Sequence, residues 1–529
     1  MLRIDQLRLT PEQPESLLSA RAAKVLRIAP EDIEHLEILH RSVDAREQLL
    51  LVYTVAVRVK REAQVLRRCH DRRVKSYTPH PYVLPAPVQT PALPPVVVGA
   101  GPAGLFAALL LAHAGARPIL LERGKCTEER TADVEAFWRD GILCPESNVQ
   151  FGEGGAGAFS DGKLNTGTKD FRHRWILEQL VECGAPESIL TEARPHVGTD
   201  YLHIALRNLR CRLLDLGCDI RFGHRLEAVH HENGVLTALT VRHGDDVYEL
   251  PCRQALLALG HSARDTFAML YENGVEMAAK PFAVGVRIEH LQRDIDAVQY
   301  RKFAGHPCLG ASTYKLSCHL DNGRSAFSFC VCPGGQVVAA ASEEGRQVTN
   351  GMSEYARDKE NINGALLVNV TPADFPSEHP LAGIAFQRQL EEAAFAPGSG
   401  YLAPCQRVED FLARRPSTGP GTVRPSYRPG VVWTDLHTCL PAFVCETLEK
   451  ALPVLDGKLR GYACPDAVLT AVESRSSSPV RILRDDTAQS NIRGLYPCGE
   501  GAGYAGGILS AAADGMRCAE FILGGMTTL

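Results

Sequence analysis

Long apolar runs are missing from this chain, and aromatic residues are scarce. Phe, Trp and Tyr make up 6% of the 529 residues, and Trp occurs only 3 times. The apolar stretch 105–112 is far too short to cross a bilayer, because a membrane-spanning helix needs about 20 apolar residues. The N-terminal sequence MLRIDQLRLT has no apolar signal core. We therefore expect neither a membrane partner nor an export signal.

A strong excess of charge is also absent. The net charge is −5, so nothing draws the whole chain to nucleic acid or to an anionic membrane. The 17 cysteines are odd in number, scattered, and lack the spacing of zinc ligands. Such usage favours a reducing compartment over a disulfide framework. The sequence thus predicts a cytoplasmic protein without a metal site, and its length predicts two or three domains.

The most informative segment is 96–124, VVVGAGPAGLFAALLLAHAGARPILLERG. It predicts a strand, a glycine turn, a helix and a second strand that ends on an acidic residue. Gly99 would make the tight turn, Gly101 would let the backbone approach a pyrophosphate, and Gly104 would let the helix pack close to the strand. The helix N-terminus would offer N–H groups to the phosphates, and Glu122 would accept hydrogen bonds from an adenosine ribose. Together these features predict a dinucleotide site.

The same glycine spacing occurs twice more, starting at Gly152 and at Gly501. The middle copy runs into AFSDGKLNTG, which does not predict a helix. The last copy lies too near the C-terminus for a second strand to follow. Only the first copy therefore predicts a βαβ unit, and a glycine-rich turn on an ordinary α/β crossover is the alternative for it.

Composition and periodicity divide the chain into five segments. Residues 1–77 predict a small α+β module, and 78–95, with seven prolines, predict a stiff linker. Residues 96–280 and 456–529 predict the two parts of a Rossmann-like nucleotide-binding domain. Residues 281–455 predict an α+β substrate domain inserted between them. The expected fold class is therefore α/β with an inserted α+β domain and an N-terminal module.

Six segments, taken together, resemble a known family. They are FGEGGAGAFSDGKLNT at 151–166, ALGHSARDT at 258–266, GVRIEH at 285–290, FCVCPGG at 329–335, VESRSSSPVR at 472–481 and CGEGAGYAGGI at 498–508. Over nearly its whole length the chain resembles the uncharacterised FAD-dependent dehydrogenases of the glutathione-reductase-like flavoprotein class. In that class an N-terminal fingerprint grips ADP, and a C-terminal segment meets the ribityl chain and the flavin. The resemblance implies FAD as the cofactor.

The candidate cofactor-binding residues combine the fingerprint with this resemblance. They are Gly99, Gly101, Ala103, Gly104, Glu122, Arg123, Gly154, Gly155, Lys163, Gly260, Gly499, Glu500, Gly506, Gly507 and Ile508. On the resemblance, Glu500 stands where related flavoproteins often have an aspartate that contacts the ribityl chain. Gly506, Gly507 and Ile508 would open the last helix and aim its positive dipole end at the flavin N1/O2 edge.

Four residues are candidates for catalysis. Cys330 and Cys332 would share one face of a strand near the flavin, either as redox-active thiols or as small apolar side chains. Arg475, together with Arg481, brackets three serines and would bind an anionic substrate, or else form a surface ion pair. His261 follows a strand end and would act as a general acid or base, or as a structural histidine.

These observations predict an FAD-dependent oxidoreductase that transfers hydride through the flavin. Its substrate would be an unidentified small molecule, and an anionic molecule is one possibility. A second nucleotide fingerprint is not evident, so NAD(P)H would dock transiently as reductant. The alternative is a flavin-bearing binding or RNA-associated protein that uses the N-terminal module. Its basic segment 60–75 carries seven Lys and Arg residues but no interleaved aromatics, which makes a nucleic-acid partner the weaker option. The oligomeric state is not predicted.

Overall fold

The computed structural model describes residues 1–398 and 400–527. Residue 399 of the predicted segment 281–455 and the last two residues of the predicted segment 456–529 lie outside the described residues. The predicted fold class is confirmed. A Rossmann-like parallel sheet, a large mixed sheet and a small N-terminal module make up the α/β architecture.

The N-terminal module is an antiparallel sheet with a helix packed on one face. Its elements are β1 (Leu2–Leu9), α1 (Leu17–Leu26), β2 (Ile33–Asp44), β3 (Leu50–Val59), α2 (Glu62–Arg68) and β4 (Val74–Ser76). The strand order is β2-β3-β1-β4. Helix α1 buries Leu18, Ala22 and Leu26, which are spaced so that they share one helical face toward the core.

The proline-rich segment after the module has no regular secondary structure, and it lies against the rest of the chain. The hydroxyl of Tyr82 donates to Oε1 of Glu520 at 2.7 Å. The Tyr82 ring packs against Phe171 and Trp175, with ring centroids 5.8 and 5.6 Å away. The segment is thus held by specific contacts along its path.

The first part of the body alternates strands and helices. Its elements are β5 (Val96–Val98), α3 (Pro102–His113), β6 (Ile119–Glu122), α4 (Thr127–Asp140), α5 (Arg172–Glu182), α6 (Thr199–Asp215), β7 (Asp219–Phe222), β8 (His224–Glu232), β9 (Val235–His243), β10 (Asp246–Pro251), β11 (Ala255–Leu257) and α7 (Arg264–Glu272).

The second part of the body is richer in long strands. Its elements are β12 (Met277–Ala279), β13 (Phe282–Leu291), α8 (Gln292–Tyr300), β14 (Ser317–His319), β15 (Ser325–Ala339), β16 (Thr349–Met352), β17 (Asn361–Val370), α9 (Ala382–Phe395), β18 (Ala403–Arg407), α10 (Val408–Leu412), β19 (Val431–Trp433), α11 (Ala442–Lys458), β20 (Val468–Glu473), β21 (Val480–Ile482), β22 (Leu495–Pro497) and α12 (Ile508–Thr527).

The parallel sheet has the order β22-β11-β5-β6-β7. The fingerprint strand β5 therefore pairs with β11, which lies far along the chain, and β11 pairs in turn with β22 near the C-terminus. The mixed sheet has the order β14-β15-β17-β13-β20-β18-β19, with β16 paired to β15. Strand β20 lies beyond residue 455, the predicted end of the inserted domain, yet it pairs with β13 inside that domain's sheet. The mixed sheet therefore contains strands from both sides of the predicted boundary at residue 455.

Helices α3 and α12 cross at very close range on the parallel sheet. A Cβ atom added to Gly515 of α12 would lie 2.1 Å from the backbone O of Ala103 in α3. A Cβ atom on Gly104 would lie 1.8 Å from the backbone O of Gly99. Both positions therefore require glycine, and Gly104 has the packing position that the fingerprint predicts.

Within the part of the chain that the structure describes, no helix combines the length and the apolar character needed to span a bilayer.

Candidate active site

A cavity of about 670 Å³ opens at the carboxyl ends of the parallel strands. Gly99 follows β5, Gly260 lies beyond β11 and Glu500 lies beyond β22, and all three line it. Open α/β sheets bind their ligands at this edge. The facing wall comes from β13, β15 and β17 of the mixed sheet. The cavity is therefore enclosed by both domains.

Most of the predicted site residues line this cavity. They are Gly99, Gly101, Ala103, Glu122, Arg123, Gly155, Lys163, Gly260, His261, Cys330, Arg475, Gly499, Glu500, Gly506, Gly507 and Ile508. Gly104, Gly154 and Cys332 are outside the lining. Gly154 instead donates its N–H to the backbone O of Ala100 at 2.8 Å, which joins the 151–166 segment to the fingerprint turn.

The fingerprint turn borders an open space that no protein atom fills and that a ligand can occupy. Gly99 has a φ of +104°, in the left-handed region that favours glycine. A Cβ atom on Gly101 would meet only the Cα of Gly155, at 3.9 Å. The protein itself would tolerate a side chain at residue 101, so the open space beside Gly101 and the N-terminus of α3 suits a pyrophosphate.

Glu122 does more than the fingerprint predicts. Its Oε2 accepts from the N–H of Ala100 at 2.8 Å. Its Oε1 accepts from the N–H groups of Gly124 and Gly152, at 2.8 and 3.0 Å. A carboxylate has about four acceptor positions, so one position on Oε2 stays open for a ribose hydroxyl. Glu122 thus also ties three loops of the cavity wall together.

Arg130 is a residue of the site that sequence reasoning missed. It is fully buried and donates to the backbone oxygens of Asn148, Val149, Glu153 and Gly155, at 2.6–3.0 Å. These contacts fix the glycine-rich segment that faces Gly101. Its partners are loop carbonyls, which leave no pattern in the sequence that could have revealed this role.

Glu500 combines a position on the cavity wall with an altered acidity. Burial raises the pKa of the Glu500 carboxyl to about 7, while the Gly507 N–H and the nearby Lys280 ammonium act in the opposite direction. A carboxyl with this pKa can both donate and accept a proton near neutral pH. Glu500 therefore lies at the cavity wall in a form suited to proton transfer.

Cys330 and Cys332 both lie in β15, but they do not share a regular strand face. Cys330 has a φ of +41°, and the pairing of β15 with β17 shifts register between Phe329 and Cys332. Cys330 lines the cavity, whereas Cys332 is fully buried behind it. The Sγ of Cys332 lies 3.9 Å from the Nζ of Lys163. An irregular strand thus separates the two thiols into an outer and an inner position.

Arg475 lines the cavity, but most of its N–H groups already have protein partners, which argues against its predicted role as an anion receptor. Its Nε and Nη2 donate to Glu391, at 3.0 and 3.1 Å, and its Nη1 donates to the hydroxyls of Ser262 and Ser342. Four of its five N–H groups are therefore used. Arg264 pairs with the same carboxylate at 2.7 Å. A substrate anion would have to displace Glu391, so we assign Arg475 to the structure of the cavity wall.

His261 lines the cavity, and its predicted acid or base role stays a prediction. Burial, together with the nearby Arg475 and Arg264, lowers the pKa of the His261 ring to about 3. Its Nδ1 lies 3.0 Å from the hydroxyl of Ser262. The ring is therefore uncharged at neutral pH, where it has no proton to donate as an imidazolium.

Sequence comparison finds three matches to known domain families. Residues 281–476 match "FAD-dependent protein, C-terminal domain-like", residues 92–132 match an FAD binding domain, and residues 1–60 match a domain of unknown function. A protein of Clostridium beijerinckii, described as uncharacterized, is 46% identical over 99% of this chain and 98% of its own length. The chain belongs to this FAD-binding family, of the FAD-dependent oxidoreductase type. The predicted cofactor, FAD, is confirmed.

The geometry of this FAD-binding protein fits an extended FAD molecule. Glu122 ends β6 and the Gly99 turn follows β5, and both line the cavity at the place where a dinucleotide fold holds the adenosine diphosphate half. Glu500 and the N-terminus of α12 lie beyond β22, where the C-terminal segment meets the flavin half in the family that the sequence resembles. Residues Lys163 and Cys330 complete the lining from the other segments.

Solved structures share the fold of the FAD-binding protein only loosely. The halogenase PltM, as a mutant in complex with FAD, is 10% identical with a TM-score of 0.40, over 82% of this chain and 70% of its own. A geranylgeranyl bacteriochlorophyll reductase-like protein from Thermoplasma acidophilum is 11% identical with a TM-score of 0.38, over 82% and 79%. At such low sequence identity and TM-score, the similarity does not indicate which reaction the protein catalyses. The glutathione-reductase-like class stays a prediction.

Proposed function

We propose that this protein is an FAD-dependent dehydrogenase or reductase that transfers hydride between the flavin and a small molecule. The proposal rests on the wall of the cavity that the mixed sheet forms. Phe282, Phe327, Phe329 and Leu367, from three strands of the mixed sheet, face the side on which FAD belongs. An apolar wall of this kind keeps water away from a reacting flavin and leaves the hydride chemistry to the cofactor.

Glu500 is the proton donor and acceptor in this proposal. Hydride transfer changes the protonation of flavin and substrate, and a group with a pKa of about 7 serves either direction of that change. Sequence reasoning assigned Glu500 only to cofactor binding. Its burial beside the cavity supports the additional role.

In this proposal the guanidinium of Arg475 does not bind an anionic group of the substrate. Arg475 is committed to Glu391, and the Nζ of Lys163 lies 2.8 Å from Oδ2 of Asp161. The apolar wall instead supports a substrate with an apolar body. The described residues form one parallel sheet of the Rossmann type, which supports transient docking of NAD(P)H against the flavin rather than a nicotinamide domain.

The seventeen cysteines are all free in the structure, and this supports our proposal of a reducing, cytoplasmic location. The family matches favour the oxidoreductase over the RNA-associated alternative. Nucleic acid that copurifies with the full chain and dissociates steeply with salt would revive that alternative.

The test is an anaerobic screen of reductants and acceptors on the FAD-loaded protein, followed through flavin absorbance. We expect NADH or NADPH to bleach the flavin and a small acceptor to restore the oxidised spectrum. The control is free FAD under the same conditions, which reports the uncatalysed background. A flavin that no hydride donor reduces above this background would contradict the proposed function.

A further inference from the structure

A second cavity, which we call the module cavity, lies in the N-terminal module. Its volume is about 620 Å³, within the range of small-molecule sites, and it shares no lining residue with the active-site cavity. We propose that the module cavity binds a small molecule that carries a diphosphate group. Such a site goes beyond the proposed function, because it lies in a different domain and involves no flavin.

A bulge in β1 opens the module cavity at the edge of the sheet. Gln6 has a left-handed φ of +59°, and the pairing of β1 with β3 shifts register between Ile4 and Leu7. On its other side β1 pairs with β4 only as far as Ile4. Gln6 and Leu7 therefore lie beyond the paired part of β4, and both line the cavity. Bulges that end a strand pairing in this way are over-represented next to functional sites.

Helix α1 brings basic residues to the same cavity. Arg21 and Lys24 lie three residues apart and share a helical face, and the C-cap residue Arg27 follows three residues later. Arg27 has a φ of +55°, which is unfavourable for any residue with a Cβ atom. Residues 1–77 contain three non-glycine residues with a left-handed φ, and two of them, Gln6 and Arg27, line the module cavity. Unfavourable backbone of this type clusters at binding sites.

The module cavity has more positive charge than its own carboxylates balance. Asp71 is its acidic lining residue, and Oδ2 of Asp71 pairs with Nη2 of Arg73 at 2.7 Å. The other basic lining residues are Arg8, Arg21, Lys24 and Arg27. Across residues 1–398 and 400–527, none of these four forms an ion pair, and Arg21 donates only to the neutral Oε1 of Gln13, at 3.2 Å. Four positive charges therefore remain available to a ligand.

The charge of the module cavity matches a diphosphate group. One phosphate group carries about −1.5 to −2 at neutral pH, so two of them carry roughly −3 to −4 and balance the four positive charges. Guanidinium groups bind phosphate oxygens through paired N–H donors, and the Lys24 ammonium adds a point charge. Leu7 and Val25 in the lining offer apolar contact to the organic part of such a molecule. As far as the structure describes it, the lining contains no Phe, Tyr or Trp on which the bases of an RNA strand would stack, which favours a small molecule.

The basic segment 60–75 is only partly involved. His70 and Arg73 line the module cavity, whereas Arg67 and Arg68 lie exposed in α2, outside the lining. The lining combines short stretches around residues 7, 24 and 71, so no continuous motif marks the site in the sequence. Arg67 and Arg68 therefore serve as a control for unspecific attraction by the charge of the module.

The test is isothermal titration calorimetry of the full, FAD-loaded chain with inorganic pyrophosphate and, separately, with ADP, in buffer free of divalent cations. Bound FAD occupies the phosphate position at the fingerprint turn, so binding of either probe reports another site. We expect both probes to bind, and inorganic phosphate and adenosine to bind at least roughly tenfold more weakly. Tighter binding of ADP than of pyrophosphate would identify a nucleotide as the source of the diphosphate, and equal binding would identify the diphosphate group alone as the recognised part. Absence of binding by both probes would overturn the proposal.

A pair of double variants locates the site. Arg21→Gln with Lys24→Gln should weaken pyrophosphate binding at least roughly tenfold. The matched control, Arg67→Gln with Arg68→Gln, removes the same charge from exposed helical positions of the same module and should change the affinity by less than about twofold. All four positions are exposed, so thermal unfolding should show both variants folded like the native chain. Equal weakening by the two double variants would reduce the effect to the overall charge of the module and overturn the site.

A second measurement uses the native chain alone. Saturating pyrophosphate should slow the acetylation of Lys24 by acetic anhydride several-fold, whereas Lys60, which is exposed and outside the lining, should react as before. Mass spectrometry of the two peptides measures both rates. Unprotected Lys24 in the presence of bound pyrophosphate would place the anion elsewhere and overturn the proposal. A single-stranded RNA that protects Lys24 and that pyrophosphate does not displace would overturn it in favour of a nucleic-acid site.

Discussion

The guanidinium of Arg475 and the carboxylate of Glu391 meet inside the cavity wall, with Nε 3.0 Å from Oε1. Glu391 is 0% exposed and also accepts from Arg264 at 2.7 Å. Burial alone would raise the pKa of the Glu391 carboxyl, but the two guanidinium groups overcome this effect and hold the pKa well below its usual range. This buried ion cluster joins the segment after β20 to α9 and α7, and Arg475 is part of the cavity lining.

Arg475→Ala should therefore destabilise the fold rather than weaken substrate affinity alone. Removing one partner of a buried ion pair costs about 3–5 kcal/mol when the remaining charge is left unpaired, and this is the upper limit here because Arg264 still pairs with Glu391. Urea unfolding of the native and variant proteins measures the loss. The control is Arg388→Ala, a half-exposed residue of the same cluster, which should cost at most about 1 kcal/mol. Unchanged stability of Arg475→Ala with a large loss of substrate affinity would restore the anion-binding role.

Gly101→Val should empty the cofactor site without unfolding the protein. The added side chain has room in the FAD-free chain, since its Cβ would meet only Gly155 at 3.9 Å, but it would occupy the pyrophosphate position. We expect affinity for FAD to fall at least roughly tenfold, which corresponds to about 1.4 kcal/mol. The ratio of flavin to protein absorbance after purification measures this. Gly457→Val, on the exposed side of α11, is the matched control, and a full flavin complement in Gly101→Val would refute the assignment.

Glu500→Gln should change how stability depends on pH. The folded-state pKa of Glu500 is about 7, above the model-compound value of 4.5, so its neutral form favours the fold. That contribution is fully present below pH 4.5 and is lost as pH rises through 7. The variant lacks this titration, so its melting temperature relative to the native protein should increase between pH 5 and pH 8. Thermal unfolding of both FAD-free proteins tests this, with Glu344→Gln at an exposed position as the matched control.

Removal of residues 1–77 should leave a folded body that binds FAD. The module contacts the body through Arg41, whose guanidinium donates to Glu192 at 2.7 Å and to the backbone O of Cys308 at 2.8 Å, and through Cys308 and Leu309, which pack against the core of the module. These contacts lie far along the chain from the fingerprint and outside the cavity lining. Flavin absorbance and thermal unfolding of the truncated protein measure the outcome, and a truncated chain that neither folds nor holds flavin would refute it.

Removal of residues 1–95 should be more harmful than removal of residues 1–77. The longer deletion strips Tyr82 from Trp175 and leaves Glu520 without its hydroxyl partner. We expect a further loss of about 1–3 kcal/mol in unfolding free energy. Tyr82→Phe in the full chain isolates the hydrogen bond and should cost about 1 kcal/mol. Equal stability of the two truncated proteins would contradict this prediction.

The sequence was most informative where a local pattern carries the structure. The strand, turn and helix of 96–124 and the α+β character of the N-terminal module follow from local patterns, and the structure has these elements. The need for FAD follows from the resemblance of six segments to a known family, and the family matches confirm it. Gly104 could be assigned to helix packing because its partner, Gly99, lies five residues away in the same motif.

Long-range pairing explains what the sequence did not reveal. Glu391 lies 84 residues from Arg475, and no local pattern links them, so the sequence suggested an anion-binding residue or a surface ion pair where the structure has a buried ion pair. The acidity of Glu500 and the low basicity of His261 depend on burial by both domains. The contact between Cys332 and Lys163 spans 169 residues. Such features become visible only once both sheets are in place.

The close crossing of α3 and α12 has a consequence for how the protein is made. The ribosome releases the fingerprint helix α3 about 400 residues before α12, an interval on the order of 20–80 s at ~5–20 residues per second. At the start of that time β5 lacks its sheet neighbour β11. Throughout it, α3 lacks the covering helix α12, and the part of the cavity that Glu500 and α12 line does not yet exist. We therefore expect the cofactor to bind late in biosynthesis, and we expect a nascent chain that stalls before Gly515 to leave the apolar surface of α3 uncovered.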